Sequence, residues 1–130
     1  ILRGLVGSEM CIRDSVNGLA LAAGRSVMAD QSGMHRWLQR VQAWVAQEGN
    51  WFHQRLIDLP AVSPMPSSAN YLLIRGEDSL LELRERVARQ RVLLRDCRSF
   101  IGLGDRWLRI GLQDRRGNRR ILKALKKELS

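Results

Sequence analysis

Apolar positions recur along this chain first with a helical period and then, past a proline, with a mixture of short apolar runs and helical stripes. From Val16 to Asp30, Leu19, Ala22, Ala23 and Val27 fall on one helical face, with Asn17 as a candidate N-cap. Gln31-Ser32-Gly33 is expected to break that helix. A longer pattern then carries Met34, Trp37, Leu38, Val41, Trp44, Val45, Trp51, Phe52 and Leu56 until Pro60 stops it, with Gly49-Asn50 as its weak point for a kink. Trp37, Trp44 and Trp51 share a heptad spacing, which predicts a core or interface stripe rather than a surface that stacks on bases. A helix of this length suits a strut between domains.

Beyond Pro60 the elements shorten. Ala61 to Ser68, with Pro64 and Pro66, reads as an extended connector, and Ala69 to Arg75 as a strand closed by Gly76. Asp78 to Gln90 is a helix capped by Ser79 or Asp78, with Leu80, Leu81, Leu83 and Val87 inward. Strands follow at Val92 to Cys97 and Trp107 to Leu112. An amphipathic helix from Asp114 to Leu129 turns Ile121, Leu122, Leu125 and Leu129 inward and Arg119, Arg120, Lys123, Lys126 and Lys127 outward. The implied fold is α+β: a small antiparallel or mixed sheet of three or four strands with helices on one face, preceded by one short and one long helix. The divisions expected are a helix over 16–33 left from a larger domain, a connecting helix over 34–60, and a small domain over 61–130.

Length changes that picture little: 130 residues with 45% apolar content make one domain with a real core. No run approaches the roughly 18 apolar residues of a membrane span, and no secretory leader opens the chain, so a cytoplasmic location is expected. The formal charge is +9, and from Arg84 onward fifteen residues are basic and five acidic. Such an imbalance fits nucleic acid or an anionic membrane surface, or a piece of a protein whose acidic part is elsewhere.

Residues 5 to 15, LVGSEMCIRDS, resemble a translated sequencing-library adapter, so residues 1–15 are expected to be non-native; the alternative is a native disordered tail. Discounting Cys11 leaves Cys97 alone, without a disulfide framework. The natural protein is then expected to begin upstream of Val16.

Candidate chemistry centres on Arg91 to Leu112, RVLLRDCRSFIGLGDRWLRIGL. Each apolar run there carries an arginine, Arg95 and Arg109, and a desolvated guanidinium needs an anionic partner. The flexible Gly102-Leu103-Gly104 loop could bring both to one end of neighbouring strands, where two guanidinium forks make a site for carboxylate or phosphate. The alternative is that both sit on a solvated strand face. Asn70, at the start of its strand, reads as a turn former or as a ligand contact. Cys97 has no nearby histidine to activate it, and His35 and His53 are expected on exposed positions of the long helix. No metal-ligand spacing occurs, and Gly102-x-Gly104 lacks the helix and third glycine of a dinucleotide site.

The strings SSANYLLIR, LLRDCRSFIGLG and WLRIGLQ, with Asn118, resemble the C-terminal small domain of fold-type I pyridoxal-phosphate enzymes, in the branch of histidinol-phosphate aminotransferase and threonine-phosphate decarboxylase. SVNGLALAA is similar to the segment after the cofactor lysine in that branch, so the resemblance runs from Val16 to the C-terminus. It implies that the equivalent of Arg109 grips a substrate carboxylate or phosphate and that of Arg95 assists at the distal anion. It also implies pyridoxal 5'-phosphate as cofactor, a homodimer, and a small phosphorylated or carboxylate substrate. The extended RDCRSF string and Asn118 lean toward decarboxylation of L-threonine O-3-phosphate, a cobalamin-pathway reaction, over transamination. Lys123, Lys126 and Lys127, the only lysines, lie on an outer helix face and none is placed to form the Schiff base. The fragment is therefore expected to be inactive alone, with no catalytic, cofactor or metal residues of its own. A basic nucleic-acid module is the alternative from another class, and it lacks a recognisable motif.

Overall fold

The computed structural model describes residues 18–129, and the chain divides into two units, residues 1–40 and 41–130. The adapter-like stretch and Asn17 lie outside the described residues.

Helix α1 (Gly18–Ala29) has no buried residue. Among the described residues, the expected inner face of Leu19, Ala22, Ala23 and Val27 is exposed. The expected break at Gln31-Ser32-Gly33 is also displaced. The single residue Asp30 interrupts the helices, its Oδ1 accepting Gly33 N–H at 2.9 Å and the Ser32 hydroxyl at 3.1 Å. That carboxylate satisfies donors that the first turn of a helix leaves unpaired, so α2 (Gln31–Ile57) restarts at once. It stays helical through Gly49 and Asn50, and its buried residues are Glu48, Gly49, Phe52 and Leu56. The tryptophan stripe is anchored only at its end: Trp51 packs on the core, whereas Trp37 and Trp44 are 51% and 37% exposed.

In residues 41–130 the sheet has order β1-β2-β4-β3, antiparallel throughout. Strand β1 (Val62–Pro64) lies within the stretch read as a connector. It pairs with the end of β2 (Tyr71–Gly76), and as an edge strand it tolerates a proline. Strand β3 (Arg95–Cys97) is shorter than expected. Arg91 takes φ 60 at the exit of helix α3 (Leu81–Arg89), so Val92 to Leu94 form a connector with Leu93 exposed. Only the next three residues reach β4 (Gly104–Gly111), with an irregularity between Asp96 and Cys97. The expected Ser79 or Asp78 cap is replaced by Leu80 at the N-cap position without a side-chain bond; Ser79 Oγ accepts only a 3.5 Å contact from Leu81 N–H.

Helix α4 (Arg115–Leu129) begins where Asp114 Oδ1 accepts Gly117 N–H at 2.7 Å. Leu72 and Ile74 of β2 and Leu108 and Ile110 of β4 meet Phe52 and Leu56 of α2, Leu83 and Val87 of α3, and Ile121, Leu122 and Leu125 of α4 in one core. The alternation that buries those strand residues turns Tyr71, Leu73, Trp107 and Arg109 to the other face. The α+β class and the helices on one face are as expected.

Candidate anion-binding site

The β3–β4 ladder sets Arg95 directly opposite Arg109, so both side chains leave the same face of the sheet. Like charges facing each other across a ladder repel, an effect that solvent lessens here because Arg95 is exposed, and an anion between them would relieve it. Arg109 is half-buried and its guanidinium stacks 5.1 Å from the Tyr71 ring centre, which fixes its direction. Both arginines open into a cavity of 660 Å3 at the end of the sheet where β2 begins and β4 ends. Asn70, the third residue singled out from sequence, also lines it, and its main-chain oxygen accepts Leu112 N–H at 2.9 Å.

Two further arginines line the same cavity, and sequence reasoning missed both. Arg91 sits exposed in the turn after α3, and Arg120, exposed on α4 as expected, donates to the Arg91 carbonyl at 3.1 Å at the edge of the cavity. Among the described residues, no carboxylate and no lysine lines the cavity. Among the described residues, none of the four guanidiniums has an ion pair.

The other charges nearby are spent on structure. Asp96 pairs with Arg98 at 3.3 Å and lies 4.0 Å from Arg84; the Arg98 hydrogen bond holds its carboxyl below the usual range. Cys97 is fully buried, and burial pushes its thiol up, the reverse of an activated nucleophile. His53, expected to be exposed, is half-buried with Nε2 enclosed and without a hydrogen-bond partner. Among the described residues no group of side chains could hold a metal, and no helix is long and apolar enough to cross a membrane.

With this geometry in view, known proteins show what the chain resembles. No family model matches it. It is 37% identical over 116 residues to threonine-phosphate decarboxylase of Salmonella typhimurium, an alignment covering 89% of this chain and 31% of the relative. It is 34% identical over 115 residues to histidinol-phosphate aminotransferase of Symbiobacterium thermophilum, covering 88% of this chain and 30% of the relative. The chain is homologous to these two kinds of enzyme. Among solved structures, histidinol-phosphate aminotransferase of Sinorhizobium meliloti, crystallised with pyridoxal-5'-phosphate, shares the fold with TM-score 0.66 at 19% identity, over 92% of this chain and 33% of that one. The homologue therefore spans about a third of the length of the relatives it matches.

Asn118, part of the resemblance, is wholly buried and works on the frame of the site rather than in it. Its Oδ1 accepts Gln113 N–H at 2.9 Å, and its Nδ2 donates to the Gln113 carbonyl at 2.8 Å and to Glu48 Oε2 at 3.1 Å. Arg115 grips the same Glu48 from Nε and a terminal nitrogen at 2.9–3.2 Å, with its guanidinium 4.1 Å from the Trp51 ring centre. The Arg115 hydrogen bond holds Glu48 below the usual carboxylate range despite burial. The signal was in the sequence: Glu48 precedes Phe52 by four residues and so shares its buried face. This network fixes the turn from β4 into α4, which carries Gln113, Gly117 and Arg120 to the cavity.

Proposed function

We propose that this chain is the substrate-anion domain of a pyridoxal-phosphate enzyme that decarboxylates L-threonine O-3-phosphate. The observation that carries the reading is Arg95 opposite Arg109 in a cavity without a carboxylate among the described residues, in a chain 37% identical to a threonine-phosphate decarboxylase. A carboxylate or phosphate seated between the two forks accepts charge-assisted bonds from both and relieves their repulsion. Arg109, braced on Tyr71, orients the substrate, and such positioning can contribute several kcal/mol to a barrier. Asn70 borders the same opening.

The residues present do not fit the cofactor itself. Lys123, Lys126 and Lys127 are exposed on α4, outside the cavity lining, and no acid lines the cavity to partner a pyridine nitrogen. Pyridoxal phosphate, which supplies an electron sink when bound, is accordingly assigned to a part of the protein outside this chain, as are the dimer contacts. The chain alone is expected to catalyse nothing. A cytoplasmic location belongs to the same proposal.

Histidinol-phosphate transamination is the second reading, supported by relatives of that name. A nucleic-acid module is the reading from another class; the exposed basic face of α4 (Arg116, Arg119, Lys123, Lys126 and Lys127) is the feature it would use, and the relatives give it no support. The test joins the chain to the coding sequence preceding Val16 and assays the product with pyridoxal phosphate. Carbon dioxide release from L-threonine O-3-phosphate is expected, and amino transfer from histidinol phosphate in its place would favour the second reading. Arg109→Ala should lower kcat/KM by about tenfold or more, and an unchanged value removes the role.

A further inference from the structure

We propose that Asn118 is a positioning residue for the anion site: by clamping the main chain of Gln113 it fixes the end of β4 that carries Arg109. The inference rests on the reading of Arg109 as an anion-binding residue. It goes beyond that reading in giving a role to a buried side chain outside the cavity lining.

Helix α4 turns Ile121, Leu122 and Leu125 into the core, and Asn118 lies three and four residues before the first two, on the same face. A wholly buried amide at such a position carries a desolvation cost that an apolar side chain avoids. Its hydrogen bonds show what the amide does there. Oδ1 accepts Gln113 N–H at 2.9 Å while Nδ2 donates to the Gln113 carbonyl at 2.8 Å, so one side chain holds both main-chain polar groups of one residue. Nδ2 also donates to Glu48 Oε2 at 3.1 Å, and Arg115 holds that carboxylate in turn. The amide is thereby fixed in rotation, since turning it breaks every one of these bonds. Capping does not account for the arrangement, because Asp114 Oδ1 already accepts Gly117 N–H in the first turn of α4.

From Gln113 a continuous run of contacts leads to the site. Strand β4 ends at Gly111, and past it the chain is held by Leu112 N–H donating to Asn70 O at 2.9 Å and then by Asn118. Gly111 stands opposite Tyr71 in the β2–β4 ladder, and Tyr71 is the ring on which Arg109 stacks, at 5.1 Å. Loosening Gln113 therefore loosens the strand end whose partner braces the Arg109 guanidinium.

Ligand affinity and fold stability, measured side by side, separate positioning from simple stabilisation. Binding of inorganic phosphate to the 130-residue chain is followed by calorimetry at low salt, with circular dichroism to verify folding and urea unfolding to record stability. Asn118→Leu keeps the inner face of α4 apolar and removes the clamp; in the folded variant phosphate binding should weaken by about fivefold or more. Affinity within about twofold of the unaltered chain, whatever the loss of stability, overturns the proposal. Where Asn118→Leu does not fold, amide hydrogen exchange in the unaltered chain decides. Coupling is reciprocal, so saturating phosphate should slow exchange at the Gln113 amide by about threefold or more relative to amides in the last turn of α4. An equal change at both places, or none, overturns the proposal. Arg109→Ala tells the two readings apart. Binding lost there but retained in Asn118→Leu removes the positioning role and leaves the clasp. Binding that survives Arg109→Ala removes the clasp and the positioning role with it, as does absence of saturable binding to the unaltered chain at millimolar phosphate.

Discussion

Two sets of arginines in residues 41–130 differ in one respect that separates their roles. Arg115 is matched by Glu48, bonded through two nitrogens, stacked on Trp51 and seconded by Asn118, so its charge is answered inside the fold. Arg95 and Arg109 face each other across a ladder and line, with Arg91 and Arg120, a cavity that has no acid among the described residues. The first set holds α2 to the start of α4; the second lacks a negative charge that a ligand can bring. An arginine's role is thus set by whether the fold contains its counter-charge.

The sharpest way to break this contrast is to remove the counter-charge where one exists. Glu48→Ala should destabilise the chain by roughly 2–4 kcal/mol in urea unfolding, since it leaves Arg115 and the buried Asn118 amide unanswered; Arg115 keeps part of its side chain in solvent, which limits the loss. A change under about 0.5 kcal/mol would put the network on the surface side of the comparison.

Acid should act on the same network with a definite sign. The native Glu48 carboxyl titrates below its ordinary value, so its contribution is complete above the unfolded carboxylate range and is lost as pH falls through the depressed native value. Glu48→Gln should flatten the acid limb of the stability profile, and an acid limb of equal slope in both proteins would contradict the assignment.

The cavity should respond to ligand instead. Phosphate at about ten times its Kd should stabilise the chain by about 1.4 kcal/mol, seen as a rise in Tm that shrinks with added sodium chloride. Arg109→Ala should abolish that rise while shifting the stability of the ligand-free chain by no more than about 0.5 kcal/mol. The smallest effect is expected at the turn: Arg91→Gly should raise ligand-free stability by about 0.5–1 kcal/mol by relieving the left-handed backbone, and a loss of stability would mean the side chain supports the fold.

Read from residues alone, the α+β order, the inward stripe of α4 and the placement of Arg95 and Arg109 on neighbouring strands were all legible. Each follows from local chemistry: period, caps, and a charge placed in an apolar run. The edge strand at Val62–Pro64 was not, because its residues look like a connector until β2 is there to pair with them. Val92 to Leu94 erred in the other direction, since their β-type composition could not reveal that the chain leaves α3 through a left-handed turn.

The sequence by itself determined which residues could form helices and strands, where apolar stripes lie, and that two arginines sit in unusual company. The tertiary structure alone decided that Arg95 stands opposite Arg109, that Arg91 and Arg120 join them, and that Glu48 meets Arg115 and Asn118. Periodicity and propensity act between neighbours within a turn or two, whereas the pairing of charges dozens of residues apart depends on the sheet register and helix docking that the whole core imposes.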